Sequence, residues 1–230
     1  MASLKTWLCD FRDLISPRYC PICGNRLNST EEEVCGKCLM MLPYIPIKDF
    51  YDNPTARLFW AKIPVERAHS YIRYHNEWDS HRLLMFLKYN HRPDIGRWMG
   101  RLMARDLLSV GFFEDMDCIA AVPLHWQRQM KRGYNQSIEL ARGVADITGL
   151  PLVRRKIVRL RNNSTQTRKS MEERIENVES LFHVKSRLPY HHILLIDDVL
   201  TTGATLTACA KAVLEHNPDM KVSILTLAKA

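Results

Sequence analysis

The chain has 230 residues, enough for one or two domains with a sizeable core, and its 46% hydrophobic and 25% charged composition is that of a globular protein. No apolar run is long enough to span a membrane, and no basic-then-apolar leader ends in a small-residue cleavage site, so a soluble cytoplasmic protein is expected. The formal net charge of +8 is uneven: residues 1–60 carry seven basic and seven acidic side chains, so the excess lies in 61–230, as suits a domain handling phosphate or nucleic acid.

Residues 1–15 place Leu4, Trp7, Leu8, Phe11, Leu14 and Ile15 on one face, which predicts an amphipathic helix used for packing. Next come Cys20-x-x-Cys23 and, after an eleven-residue spacer, Cys35-x-x-Cys38. Each pair fits a tight knuckle, with Gly24 and Gly36 in the turns, and two knuckles can present four thiolates tetrahedrally to Zn²⁺. Four protein ligands leave no open position, so the expected role is structural, and metal removal should unfold this module. The other cysteines, Cys9, Cys118 and Cys209, are scattered; the last two fit small buried positions. Pro43, Pro46, Asp49, Asn53 and Pro54 interrupt any regular element over 43–60, so a linker and a boundary are placed there, dividing the chain into 1–60 and 61–230.

Beyond it, residues 65–76 alternate as a strand or hairpin, and helices are predicted over Asp79–Tyr89 and Ile95–Leu108. Lys88 and Arg92, near the end of the first, could reach an anionic site but are read in preference as a solvated helix end. Residues 118–122 form a buried strand ending at Pro123. A nine-residue loop, Leu124 to Arg132, then holds Arg128, Lys131 and Arg132 and no acid, and Gly133-Tyr134-Asn135-Gln136 leads into a helix over Ser137–Ile147. After a short strand at Leu152 and Val153, positions 154–174 hold eight basic residues and two acids. The polar stretch Asn162–Ser170 reads either as a loop closing over a site or as a surface excursion.

Ile193 to Ile196 is an unbroken apolar run, as in a strand buried on both faces of a parallel sheet. Asp197 and Asp198 follow, then Thr201-Thr202-Gly203-Ala204-Thr205, then a helix over Leu206–His216. Open α/β sheets bind ligands at this carboxyl edge. A glycine-opened helix N-terminus with threonine hydroxyls suits phosphate, and two carboxylates beside it suit sugar hydroxyls and can help hold Mg²⁺. The ligand inferred is a ribose 5-phosphate moiety. No lysine follows Gly203 and no G-x-G-x-x-G occurs, which excludes the two commoner nucleotide loops. Lys221–Leu227 is the last predicted strand; with little chain beyond it, a substrate hood is expected from upstream.

The run of apolar residues, two acids, two apolar residues and Thr-Thr-Gly-x-Thr resembles the phosphoribosyl pyrophosphate (PRPP) signature of type I phosphoribosyltransferases. With the four-cysteine module, Leu-Lys-Tyr, Val-Pro-Leu-His, Arg-Gly-Tyr-Asn-Gln and the Thr-Gln-x-x-Lys-Ser stretch, the chain resembles the ComF/GntX family along nearly its whole length. The resemblance implies an α/β fold, a type I phosphoribosyltransferase-like parallel sheet with flanking helices, behind a small N-terminal zinc ribbon. It further implies that Asp197, Asp198, Thr201, Thr202, Gly203, Ala204 and Thr205 hold the ribose and phosphate of PRPP. Arg132, Gly133, Asn135 and Gln136 match a second family motif, where Tyr134 replaces the usual phenylalanine. Gln166, Arg174 and Asn177 match mobile-loop positions. Family members are associated with natural competence, the uptake and processing of transforming DNA.

Two functions follow as expectations. One is a phosphoribosyltransferase that binds PRPP with Mg²⁺ and displaces pyrophosphate at ribose C1, with the catalytic carboxylates Asp197 and Asp198 fixing the ribose and offering negative charge and Arg128, Lys131 and Arg132 on the leaving group. The other is a non-catalytic ribose-phosphate-sensing adaptor whose basic face meets single-stranded DNA or a competence helicase.

Overall fold

The protein is described here by a computed structural model over residues 17–75, 79–160 and 181–230. The expected helix over 1–15 and most of the 154–174 basic stretch, including Gln166, lie outside those residues, as do Arg174 and Asn177. In chain order the first elements are α1 (Gly36–Met41), a 3-10 turn at Ala56–Leu58, β1 (Ala68–Arg73), α2 (Asp79–Tyr89) and α3 (Pro93–Leu108). Then come β2 (Cys118–Ala121), α4 (Trp126–Arg132), α5 (Gln136–Thr148), β3 (Leu152–Val153), β4 (Ile157–Arg159) and β5 (Phe182–Val184). The chain closes with β6 (His192–Leu200), α6 (Ala204–His216) and β7 (Lys221–Lys229).

Five strands form one parallel sheet in the order β1-β7-β6-β2-β3, and β4 and β5 pair antiparallel beside it. The period-2 alternation of a strand sends successive residues of β6 to opposite faces. Leu194 and Ile196 join the cluster formed with α2, α3 and α5, whereas Ile193 and Leu195 join the one containing Cys209 and Val213 of α6. Covered on both sides, the strand can be apolar without interruption. Each fully buried Leu or Ile contributes roughly 1.5–3 kcal/mol, so a one-residue slip, which exchanges the two faces, is strongly disfavoured.

Two differences from the sequence expectation concern the edge of the site. The strand runs on through Asp197 and Asp198 to Leu200, because Val199 and Leu200 stay in register with Ala228 and Lys229 of β7. The acids are therefore part of the strand itself, which is longer than the apolar run alone indicates. The span Leu124–Arg132 is also not all loop: Trp126–Arg132 is helical, stopped by Gly133 at φ +75°. Its seven residues contain no β-branched, glycine or proline residue, and the cations are carried around a helix instead of along an extended loop. The strand-or-hairpin alternative at 65–76 resolves as one strand, β1, parallel to β7.

Helices α3 and α5 touch backbone to backbone. A Cβ on Gly100 would stand 2.1 Å from the Leu140 carbonyl oxygen, and one on Gly143 would stand 2.0 Å from that of Arg97. Only glycine fits either position, and this crossing fixes where α5 begins, next to β6. Residues 43–60 are packed, not loose. Ile45 N–H donates to the Tyr71 carbonyl (2.9 Å) and Arg73 N–H to that of Pro43 (2.8 Å), extending the β1 edge. Phe50 stacks edge-on against Phe112 at 4.8 Å, and Phe59 is fully buried. Cys20, Ile22, Val34 and Cys38 share one buried cluster with Leu83, Trp98 and Met99, so the cysteine segment rests on α2 and α3.

Candidate active site and metal centre

The parallel strands deliver the site to their carboxyl edge. At the end of β6, Asp197 Oδ1 accepts hydrogen bonds from the Ser137 hydroxyl (2.8 Å) and the Asp198 N–H (2.9 Å). Although part of Asp197 reaches solvent, protein surrounds its carboxylate. Burial and then the charge of Asp198 push its pKa up to about 7, against the smaller opposing effects of those two bonds and of Lys88. Asp198 is steadied from two sides: Lys88 Nζ and Arg132 Nη1 each lie 3.9 Å from its Oδ2.

Past Leu200, Gly203 turns the chain at φ +80°, a conformation that disfavours any side chain, and Thr207 N–H closes the first helical bond onto its carbonyl (2.8 Å). The Phe59 ring lies 3.2 Å from where a Cβ on Gly203 would sit, so the upstream segment braces the turn from below. Thr201, Thr202 and Ala204 are exposed and Thr205 is partly so. With Asp197 and Val199–Leu206 they line a hollow of about 30 Å³ at the N-terminus of α6. Backbone N–H groups and the helix dipole there favour an anion.

Strand β2 ends beside β6 and supplies the second wall. Asn135 is buried; its Nδ2 donates to the Val122 carbonyl (3.0 Å) and its Oδ1 accepts from Ser137 N–H (3.0 Å), capping α5. Gln136 Oε1 accepts from Arg132 Nη1 (2.9 Å), and its Nε2 donates to the Leu87 carbonyl (3.4 Å). The Tyr134 hydroxyl also donates to the Leu87 carbonyl, and the Arg132 guanidinium lies 6.0 Å from the Tyr89 ring. The turn Arg132–Gln136 thus clamps the end of α2 and swings Lys88 onto Asp198.

Of the residues expected at the site, Asp197, Asp198, the threonine turn, Arg132, Asn135 and Gln136 are brought together around the carboxyl ends of β2 and β6. Gly133 serves as the stop of α4. Arg128 and Lys131 are exposed on α4 and make no ion pair among the described residues. Gln166, Arg174 and Asn177 lie outside the described residues. Two participants were missed. Lys88 was read as a solvated helix end; its Leu-Lys-Tyr context was the available signal. Ser137 carried none, because a serine at a helix start reads as a cap.

At the other end of the chain the sulfurs of Cys20, Cys23, Cys35 and Cys38 all lie within 4.8 Å of one another. Cys23 Sγ and Cys35 Sγ are 3.7 Å apart, close to the ~3.8 Å edge of a tetrahedron with Zn–S bonds of ~2.3 Å. Gly24 N–H bonds the Cys20 carbonyl (2.9 Å), and Glu31 accepts from Gly36 N–H (2.8 Å) and Asn28 N–H (2.9 Å), bracing the second knuckle. Arg92 Nη2 meets Glu33 at 2.8 Å and ties this module to the start of α3. The four thiols can hold a metal such as zinc.

A carboxylate pair ending a central parallel strand, directly before a glycine-turned helix N-terminus, is the arrangement of a phosphoribosyltransferase-type domain. Residues 131–230 match the phosphoribosyl transferase domain model. The chain is 28% identical over 199 residues to competence protein F of Haemophilus influenzae, covering 84% of this chain and 77% of that protein. It is 31% identical over 134 residues to the DNA utilization protein YhgH of Salmonella typhimurium (56% and 59% covered), and 34% over 113 residues to competence protein ComFC of Bacillus subtilis (49% and 44%). These matches support a ComF-like chain, and the parallel sheet, flanking helices and N-terminal cysteine cluster agree with that likeness. No helix among the described residues is long and apolar enough to cross a membrane.

Proposed function

We propose that this protein binds PRPP and transfers its phosphoribosyl group. The observation that carries the reading is the continuity of β6 into the threonine turn, which sets two acids and an anion site side by side. The 5-phosphate sits on Thr201–Thr205 at the N-terminus of α6, and the ribose hydroxyls face Asp197 and Asp198. The adjacent carboxylates are also the hard oxygen donors that a Mg²⁺ accompanying PRPP requires, and Asp197, driven toward its neutral form by burial and Asp198, gains from a nearby cation. The ion supplies charge neutralisation of the pyrophosphate.

The chain's own side chains do the rest. An acceptor's lone pair forms the new bond to C1 while the C1–O bond breaks and its electron pair leaves with pyrophosphate. Asp197 and Asp198 hold negative charge near the cationic ring of the transition state. Arg132, fixed by Gln136, stands on the side from which pyrophosphate departs; Arg128 and Lys131, exposed on the outer side of α4, add only longer-range positive charge, and Gln166, Arg174 and Asn177 belong to the segment that completes the site. Zinc at Cys20, Cys23, Cys35 and Cys38 is structural. A thiolate centre of this kind fits the reducing cytoplasm, where we place the protein. The same reading divides the chain at residue 60 into the zinc module and the transferase-like domain.

Relatives named for competence and DNA utilization support a role for this activity in DNA uptake or use. Those names also favour the second reading, an adaptor that senses ribose phosphate and meets single-stranded DNA or a competence helicase. Incubation with PRPP, Mg²⁺ and a panel of bases and amines separates the two. Pyrophosphate release that disappears in Asp197→Asn is the expected result. No release with any acceptor, together with PRPP binding that survives, turns the assignment to the adaptor.

A further inference from the structure

A second cavity, of about 800 Å³, opens beyond β2 at the β3 edge of the sheet. It shares no lining residue with the hollow at the threonine turn. Its volume lies in the range of ~300–1,000 Å³ found for small-ligand sites. Its lining is of two kinds. Ala120, Leu152, Val153 and Ile157 give it an apolar floor, with the Trp126 indole at the α4 end. Around this stand Arg142, Arg154, Arg155, Arg159 and Lys185, and no acid lines it among the described residues.

Arg142 is neutralised by Glu139 at 2.5 Å. The other four have no carboxylate partner among the described residues. Arg159 is the most constrained of them. Its guanidinium lies 5.4 Å from the Phe182 ring, its Nε is buried without a hydrogen-bond partner, and burial and then the neighbouring Arg128 charge disfavour its cationic form against a smaller opposing effect of Asp197. A buried N–H of a guanidinium without an acceptor is costly, and four cations without an ion-pair partner around one apolar floor repel one another. Both costs are relieved by a ligand with an apolar planar face and a dense negative charge.

We propose that this groove is a nucleotide site for a nucleoside polyphosphate. The base lies on the apolar floor toward Trp126, and the phosphates lie among Arg154, Arg155, Arg159 and Lys185. A nucleoside triphosphate carries a charge close to the opposite of those four cations. Neither a bare anion, which leaves the floor uncovered, nor a neutral nucleoside, which leaves the cations unmatched, fits as well. The groove shares Asn135 with the wall described above, but none of its four cations is assigned to PRPP, so the two readings can be tested apart.

Calorimetric titration of the full-length, zinc-loaded protein with ATP tests this, with tripolyphosphate and a short oligo(dT) as comparison arms. ATP should bind at physiological ionic strength more tightly than tripolyphosphate, and saturation with PRPP should leave its affinity unchanged. The double substitution Arg154→Glu/Arg155→Glu, at two exposed positions, should weaken ATP about ten-fold or more while the melting temperature and PRPP binding stay as in the wild type. Arg159→Gln should weaken it as well. Three results overturn the proposal: tripolyphosphate binding as tightly as ATP, which reduces the groove to an anion patch; oligo(dT) binding that ATP does not displace; or ATP affinity unmoved by the double substitution. Loss of PRPP binding alone leaves the ATP result standing, so the two assignments fail separately.

Discussion

The turns after β2 and β6 are built to one plan and used in opposite ways. Each follows a buried parallel strand, each opens toward the same edge of the sheet, and each ends in a helix whose N-terminus faces the site. After β6 the chain makes a short, acid-and-threonine turn in which nearly every residue faces the hollow. After β2 it makes a helix, α4, which puts Arg132 inward and leaves Arg128 and Lys131 outside. A compact turn spends all its side chains on the ligand. A helix spends about one in three or four, and the remainder serve its solvent face.

The largest expected effect lies outside both turns and shows which of them depends on the zinc module. Chelation, or Cys38→Ser, should remove the proposed metal centre, whose counterparts in isolated finger peptides are worth roughly 10–16 kcal/mol. Because that module rests on α2 and α3, and α2 carries Lys88 into the site, chelation should expose the Arg132–Gln136 turn to hydrogen exchange before the Gly203 turn. Simultaneous exposure of both would erase the distinction.

Second in size is the response of Asp197 to pH. Its folded pKa is raised to about 7 from an ordinary 3.8, so the folded state holds a proton that the unfolded state has lost over that window. Stability therefore falls as pH rises from about 4 to about 7. Asp197→Asn keeps acceptors for Ser137 and Asp198 and loses the charge. It should be more stable than the wild type above pH ~7, by up to a few kcal/mol, and nearly equal to it near pH ~4. Urea unfolding across that range checks the crossing. PRPP affinity should move the other way, rising through neutrality in the wild type and staying low and flat in the variant.

Gly203→Val comes next. A side chain at φ +80° costs about 1–2 kcal/mol before its contact with Phe59 is counted, and the turn can no longer present its N–H groups. Thermal unfolding should show the modest loss, and PRPP binding should disappear. The smallest effect separates the two faces of α4: Arg132→Ala should weaken PRPP about ten-fold, a change of ~1.4 kcal/mol, while Lys131→Ala should stay within about two-fold. Equal losses would mean that the helix does not sort its cations.

These contrasts also explain what could be read in the sequence. The β6 turn was legible because its chemistry is local: four buried residues, two acids and five loop residues in one stretch. The cysteine centre was legible because paired spacings announce it. The helix α4 is short and rich in charge, so its sequence carries little helical periodicity, although Pro123 lies shortly before it and Gly133 stops it. The extension of β6 to Leu200 depends on register with β7, residues far along the chain. Lys88 depends on the Tyr134 and Gln136 bonds to Leu87, which no local pattern encodes.

The central claim is that a sugar phosphate binds where β6 passes into α6. Hydrogen exchange followed by mass spectrometry, with and without PRPP and Mg²⁺, reads that location directly. Protection concentrated on residues 197–207, and abolished in Asp197→Asn, is the predicted result. Protection that falls elsewhere, or PRPP binding that leaves this stretch exchanging at its free rate, would contradict it.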